Sequence, residues 1–341
     1  MNSKEIDILL KDGIYPCECQ SPQLIDTHIS WVILCDQYVF KIKKPIQYSF
    51  LDFSTLEKRK HFCETEIVLN RKLTEGVYLD VVPIKKENRR ISIGKSDSSG
   101  EIIEYAVRMK KLAASKRMDL LLEAGKVSSA DIHAIADKLI PFHRNAKIIH
   151  DPSHLSIREK FNDLDKTAWQ SEALKIQAPA TITNAIEIST RFLEKYKGLL
   201  LERKTQGFIR DCHGDLHSRN IFLLPEPVVF DCIEFNDDYR QIDILNELAF
   251  FCMDLEAFGY HNLSDQFFIY YNEHFHVCRN VAEQFLFVYY KAYRANVRAK
   301  VNLLRAKSAT DLLIKEQALK EAEKYLLLMG NYMDFLSTDA L

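Results

Sequence analysis

Glycine and proline are scarce, with 10 and 9 residues in 341. That scarcity excludes collagen-like, linker-rich and disordered architectures. No apolar run approaches the ~18 to 20 residues of a membrane span. The start, Met1-Asn-Ser-Lys-Glu-Ile-Asp7, is acidic within seven residues and lacks the apolar stretch of a signal peptide. The eight cysteines include no Cys-x-x-Cys pair, and only Cys17 and Cys19 are close. They read as reduced, mostly buried thiols of a cytoplasmic protein. Charge of one sign is also missing: 46 basic and 48 acidic residues give a net −2. A nucleic-acid coat or a polybasic membrane protein is thereby excluded, and neither nucleic acid nor membrane is expected as a partner. There is no Gly-x-Gly-x-x-Gly loop. Gly94-Lys95-Ser96 mimics the end of a phosphate-binding P-loop, but position 89 is Arg where glycine is required, so the segment reads as a turn.

What is present is an ordinary globular composition, 47% hydrophobic and 28% charged. At roughly 150 residues per domain the length suggests two units or one two-lobed domain. Such a chain buries about three quarters of its unfolded surface and needs no disulfide or metal for a core. Residues 29–34 and 38–42 are β-rich runs around Cys-Asp-Gln, a hairpin pattern closed by Pro45. Ser54 or Thr55 offers a helix cap, and 56–73 carries helical spacing (Phe62, Ile67, Leu69, Leu73). Residues 77–84, 90–93 and 102–109 read as strands, so the first 110 residues are strands around one helix. Beyond about 112 the pattern is helical. Ser128 or Ser129 caps a helix through Ile140 that Pro141 bends or ends, and residues 155–205 are helical with a break at Ala178-Pro179. A strand-turn-strand spans 221–230, and helices fill 240–336. The fold class is α+β, with a small β-rich N-lobe (1–108) and a larger helical C-lobe (109–341).

The segment His213-Gly-Asp-Leu-His-Ser-Arg-Asn220 is followed eleven residues later by Asp231. A phosphoryl-transfer site needs a carboxylate to accept the proton of the attacking hydroxyl. It also needs oxygen ligands to hold magnesium on the nucleotide phosphates. Asn220 sits just before the first strand of the hairpin and Asp231 just after the second, so antiparallel pairing brings both to one end. A competing reading takes His213, Asp215 and His217 as an H-x-D-x-H metal-hydrolase site. It leaves Asn220 and Asp231 unexplained. A kinase plan also needs a strand lysine for the phosphates and a glutamate on the next helix to fix it. Lys41 and Lys43 are two apart and share a strand face; Lys41 is preferred. Among Glu57, Glu64 and Glu66, the last is best placed. His133, His143, His150 and His154 share no metal-ligand spacing.

This constellation resembles the aminoglycoside phosphotransferase family of the protein-kinase-like superfold. The resemblance rests on 213–220, on Phe230-Asp-Cys-Ile-Glu-Phe235 and on Tyr38-Val-Phe-Lys-Ile-Lys-Lys-Pro45. Phe50-Leu-Asp-Phe-Ser-Thr-Leu-Glu-Lys-Arg59 resembles a narrower bacterial group, uncharacterised and often fused to a P-loop kinase module. No such module is read in this chain, so a separate P-loop kinase partner is implied. The resemblance covers roughly residues 25–300. It implies a two-lobed fold with ATP in the cleft and γ-phosphoryl transfer to a hydroxyl of a small molecule. Asp215 then matches the base, Asn220 and Asp231 the magnesium ligands, Lys41 (or Lys43) the phosphate lysine and Glu66 its partner. His213 matches the loop brace, and His217 replaces the lysine usual in protein kinases. The adenine hinge falls at Glu104-Tyr-Ala-Val-Arg-Met109, with Tyr105, Val107 and Met109 as cofactor contacts. Thr27-His-Ile-Ser-Trp31 stands where the glycine loop would be. Asp231 is followed by Cys-Ile, not Phe-Gly, and no Ala-Pro-Glu follows, against a protein kinase. Glu234 lies three after Asp231, where the commoner pattern has a glutamate two after. The alternative function is a nucleotide-binding pseudokinase or regulatory module without turnover.

Two charge clues conflict. Residues 211–260 carry eleven acidic and two basic side chains. The surplus (Asp237, Asp238, Asp243, Glu247, Asp254, Glu256) would attract a cationic substrate or else serve the fold, with Asp243 or Glu247 bracing the catalytic loop. Residues 284–310 carry six basic and no acidic side chains. Tyr290, Arg294 and Arg298 share one helix face there, suited to packing against the acidic segment or to binding an anionic group.

Overall fold

A computed structural model describes every residue except 49, 95–99, 151–156, 169–177 and 310. Lys95 and Ser96 of the P-loop-like turn, and His154, therefore lie outside the described residues. The chain divides into two compact units. The first comprises residues 1–120 and 219–237, and the second 121–218 and 238–341. This differs from a single boundary after residue 108, because the Asn220–Asp231 hairpin returns to the first unit.

The first unit opens with helix α1 (Ser3–Asp12), which the sequence reading missed. Its signal is a capping box: the Asn2 side chain accepts from Glu5 N, and the Glu5 side chain accepts from Asn2 N. Then come β1 (Gln23–Asp26), β2 (Ser30–Leu34), β3 (Tyr38–Lys43), the short strands β4 (Gln47–Tyr48) and β5 (Leu51–Asp52), and α2 (Leu56–Asn70). Strands β6 (Tyr78–Glu87), β7 (Arg90–Ile93) and β8 (Glu101–Lys110) follow. Six strands form one antiparallel sheet in the order β1-β2-β3-β8-β6-β7.

Strand alternation in β3 decides what each sheet face does. Phe40 and Ile42 point to one face. There they join Ile33, Ile84, Ile91, Ile93 and Ala106, and Ile6 and Leu9 of α1 complete that core. Lys41 and Lys43 point to the other face. It carries Val107 and Met109 against Cys63 and Ile67 of α2. Thr55 caps α2 by accepting from Lys58 N. Thr27-His-Ile-Ser-Trp31 forms the tight β1–β2 turn, closed by Thr27 N donating to Ser30 O.

Cysteine usage needs correction. Cys19 and Cys35 form a disulfide, while Cys17, Cys63, Cys212, Cys232, Cys252 and Cys278 are free. A 16-residue separation gave no spacing signal. Disulfides are rare in reducing compartments, so cysteine usage no longer supports a cytoplasmic location. Among the described residues, no helix is long and apolar enough to cross a membrane.

A 3₁₀ turn (Ala114–Lys116) leads to α3 (Met118–Glu123), where the chain leaves the first unit. Helix α4 (Ser129–Asn145) starts at a Ser128–Asp131 capping box and runs through Pro141, five residues further than expected. Next are α5 (Ile157–Ala168), α6 (Ala178–Lys195), α7 (Lys197–Thr205) and β9 (Ile209–Asp211). The expected break at Ala178-Pro179 is the start of α6, where proline is tolerated in the first turn. The hairpin β10 (Ile221–Phe222) and β11 (Val228–Val229) belongs to the first unit. Then follow α8 (Asp237–Arg240), β12 (Gln241–Asp243), α9 (Ile244–Ala257), α10 (His261–His274), α11 (Val281–Ser308) and α12 (Leu312–Asp339). Strand β12 pairs antiparallel with β9. Helix α9 is buried along nearly its whole length and packs against α10 and α11.

Candidate active site

In the first unit, two chain segments converge on the two lysines of β3. Lys41 Nζ lies 2.8 Å from Glu66 Oε1 and 2.6 Å from Asp231 Oδ1. Lys43 Nζ lies 2.8 Å from Glu66 Oε2 and pairs with Glu234. One glutamate on α2 thus holds both strand lysines, and each lysine takes a second carboxylate from the segment after β11. Exposure separates them: the Lys41 side chain is 12% accessible and that of Lys43 1%. Lys43 also lies over the Phe53 ring. Glu234, whose role the spacing left in doubt, is the buried counter-ion of Lys43.

The electrostatics follow from this sharing. Burial raises the Glu66 carboxyl, but Lys41 and Lys43 outweigh it and hold the group down to about 2. Burial works against the Lys41 ammonium, yet Asp231 and Glu66 keep it well above the ordinary lysine range. Glu234 is raised, first by burial and then by the Glu66 charge, although Lys43 opposes both.

Asp231 sits where the hairpin places it. Ile221 pairs with Val229, and Phe230 N donates to Asn220 O, so Asn220 and the residue preceding Asp231 lie side by side. The Asp231 backbone is left-handed, φ 65°, which is uncommon for a residue with a Cβ. Its N–H donates to the Tyr78 hydroxyl and the next one, of Cys232, to Asn70 Oδ1. Asn70 in turn donates to Glu66 O. Tyr78 and Asn70 were not singled out in the sequence; no local pattern marks them. The Asp231 side chain is 41% accessible, so its carboxylate can be reached by a ligand even though one oxygen faces Lys41. Hard oxygen donors of this kind suit magnesium, so the donor set fits the expected ion.

The expected hinge is corrected. Tyr105, Val107 and Met109 lie inside β8, not in a connector. Residues 106–109 of β8 are in register with β3 on one side and β6 on the other, so the ladders occupy this stretch of main chain. Glu104 is fully buried against Arg59. The Val107 and Met109 side chains, with Tyr105 beside them, contribute to an apolar cluster containing Val39, Phe222 and Phe230.

In the second unit, β9 leads into the loop carrying His213, Asp215 and His217. Carboxylates fix its main chain. Glu247 Oε1 accepts from His213 N at 2.6 Å and Oε2 from Gly214 N at 2.9 Å. Asp254 Oδ2 accepts from Ser218 N at 2.8 Å. Arg294 Nη1 donates to Gly214 O at 3.0 Å. Gly214 has φ 87°, a conformation that favours glycine. Of the two residues expected to brace the loop, Glu247 does so. Asp243 instead caps α9 and takes both ends of the buried Arg203 fork.

His213 is buried, and its Nδ1 accepts from Asp215 N at 3.3 Å. His217 Nε2 is 3.3 Å from Asp215 Oδ2. Burial alone would raise the Asp215 carboxyl, but His217, Arg298 and His213 hold it well below the usual carboxylate range. Asp215 is therefore ionised near neutrality and can accept a proton or a hydrogen bond. Among the described residues, the group placed to hold a metal is His143, Cys212 and Glu247, not His213, Asp215 and His217. Its Glu247 oxygens already serve the loop amides.

No protein-family model matches the chain. Uncharacterised proteins of Mycobacterium bovis and Mycobacterium tuberculosis are 30% identical over 318 residues, 89% of this chain. The chain spans 61% of the length of these curated relatives. Among solved structures, one assigned as an aminoglycoside phosphotransferase of Ralstonia eutropha has a TM-score of 0.54 at 11% identity, covering 98% of both chains. A choline/ethanolamine kinase family protein of Mesorhizobium loti has a TM-score of 0.53 at 13% identity, covering 97% of this chain and all of that one. An ethanolamine kinase of Plasmodium vivax has a TM-score of 0.52 at 10% identity, covering 89% of this chain and 81% of that one. At these identities the likeness is one of fold: the chain has the α+β, protein-kinase-like fold that aminoglycoside phosphotransferases share with choline/ethanolamine kinases.

Proposed function

We propose that this chain transfers the γ-phosphoryl group of ATP to a hydroxyl of a small molecule. The observation that carries the reading is Lys41, held between Glu66 of α2 and Asp231 after the hairpin. A kinase site needs this strand lysine, helix glutamate and metal aspartate, and all three lie in one unit. The fold neighbours include proteins named as aminoglycoside phosphotransferases and choline/ethanolamine kinases, which supports a small-molecule acceptor.

In this reading Lys41 binds the α- and β-phosphates, and Glu66 fixes the lysine. Lys43 is the buried structural partner that fixes Glu66. Asn220 and Asp231 hold magnesium, which when bound neutralises the phosphate charge. Val39, Met109 and Phe230 offer apolar side chains to the adenine, which keeps Met109 from the expected contacts and adds two residues of the same cluster. Asp215 orients the acceptor hydroxyl and receives its proton as the oxygen bonds to the γ-phosphorus and the bond to the β-phosphate oxygen breaks, releasing ADP. Most of the rate effect comes from positioning and charge stabilisation. Nothing in the fold or the relatives speaks for a separate P-loop kinase partner.

The test is thermal stabilisation by ATP, with and without magnesium, in wild type and Asp231→Asn. The expected result is a magnesium-dependent rise that the variant loses, followed by ADP release on addition of a hydroxyl acceptor. Binding without turnover across acceptors would establish the pseudokinase alternative. Absence of any nucleotide response would overturn the reading.

A further inference from the structure

The conflict between the two charge clues is resolved in the second unit. Four members of the acidic surplus are consumed by the fold. Asp243 is paired with Arg203, and Glu247 and Asp254 accept from loop amides. Glu256 accepts from Ser264, Lys291 and Tyr332.

The same unit contains a cavity of about 280 Å³, and its wall is cationic and aromatic. Lys160 of α5, Lys204 of α7 and Arg294 of α11 line it. Asp238 and Asp243 also line it, but both Asp243 oxygens already face Arg203. Three cations of the wall therefore face two carboxylates, one of which is already paired with Arg203. Lys160 Nζ donates to the Asp238 main-chain oxygen at 2.7 Å and lies over the Tyr239 ring. Burial, with Arg294 nearby, lowers its affinity for a proton; an arriving anion would relieve that penalty. Tyr290 and Tyr293 supply further wall with hydroxyl groups.

The cavity adjoins the catalytic loop. Arg294 at its wall donates to Gly214 O, the residue before Asp215. Arg298 is one turn further along α11, roughly 6 Å at 1.5 Å per residue, and its charge acts on Asp215. The volume is near the lower end of small-molecule pockets, about 300–1,000 Å³, and suits a compound of monosaccharide size.

We propose that the phosphoryl acceptor is a small anion, a hydroxyl compound whose phosphate or carboxylate group seats between Lys160, Lys204 and Arg294. This rests on the phosphotransferase reading and names its substrate class. It separates this chain from fold neighbours named for amine-bearing substrates.

Calorimetric titration of the whole chain without nucleotide tests it, using glucose 6-phosphate, gluconate and ethanolamine. The two anions distinguish a phosphate from a carboxylate preference. The expected result is that at least one anion binds, that added salt weakens it, and that ethanolamine does not bind. Lys160→Gln and Lys204→Gln should each weaken the anion about tenfold or more, the loss of one charge-assisted hydrogen bond. Lys204→Gln provides a second arm if the Lys160 variant folds poorly. Failure of both anions to bind at millimolar concentration, unchanged affinity in Lys204→Gln, or preferential binding of ethanolamine would overturn the proposal. Asp231→Asn should lose the magnesium–ATP response and keep anion binding. Anion binding in a wild type that shows no ATP response would therefore sink the kinase reading and leave the cavity's anion preference standing.

Discussion

The two charged clusters restrain different parts of the molecule. In the first unit, side chains hold side chains: Glu66, Asp231 and Glu234 share Lys41 and Lys43. In the second, carboxylates hold main chain: Glu247 accepts from two consecutive amides and Asp254 from a third. An ion-pair network tolerates exchange of partners, so a phosphate or a metal ion can enter it and redistribute the pairs. A buried amide has one bond to make, and losing its acceptor leaves it unsatisfied. The lysine cluster is thus suited to receiving a charged ligand, and the 213–218 loop to keeping one geometry throughout.

Changes at either cluster break or sharpen that contrast. The largest effect should be on chemistry: Asp215→Asn should lower turnover about 10²- to 10⁴-fold, the range for a positioned acid or base. ATP binding by thermal shift should be retained, and full turnover in the variant would remove Asp215 from its role. Lys43→Met should cost about 3–5 kcal/mol in urea denaturation, because it strands Glu234 in a buried position. Adding Glu234→Leu should recover most of that loss. Glu247→Ala should cost about 2–4 kcal/mol, since two buried amides lose their acceptor together. Its ATP-induced stabilisation should survive, as the lysine cluster is untouched.

A pH effect comes next. Glu66 is held down to about 2 from 4.5, so its contribution is present above about pH 4.5 and is lost as pH falls toward 2. Glu234 is raised, so its contribution has the opposite sign: it is present below its ordinary value and lost as pH rises through the raised one. Denaturation midpoints measured on either side of pH 4.5 should fall with acid in wild type and change less in Glu66→Gln. The smallest expected effect is Thr55→Ala, about 1 kcal/mol for the lost α2 cap. It should leave the Glu247-held loop unaffected by hydrogen exchange.

The sequence made the fold class and the β2–β3 hairpin legible because alternation and turn residues are local signals. Strand β7 emerged with its ends correct. The motif at 213–220 and the hairpin to Asp231 were legible because spacing encodes them. What escaped was long-range. Tyr78 and Asn70 support Asp231 from more than 150 residues away. Cys19 and Cys35 meet only once β1 and β2 pair. The hinge was misplaced because an apolar strand and its following connector look alike until the partner strands are known. Glu247 and Asp243 were equal candidates in the sequence, and only the direction of each side chain from the start of α9 separated them.

The return of residues 219–237 to the first unit has a consequence for biosynthesis. A ribosome that has released residues 1–120 has made the whole β-sheet, both lysines and Glu66, but neither Asp231 nor Glu234. Until more than a hundred further residues emerge, Lys43 has Glu66 but lacks its second counter-ion, Glu234. The sheet can form early, but its charged face closes only after the chain has visited the helical unit and come back. A fragment ending at residue 120 should accordingly be a poor surrogate for this unit, and the last step of its folding is tied to the middle of the chain rather than to its beginning.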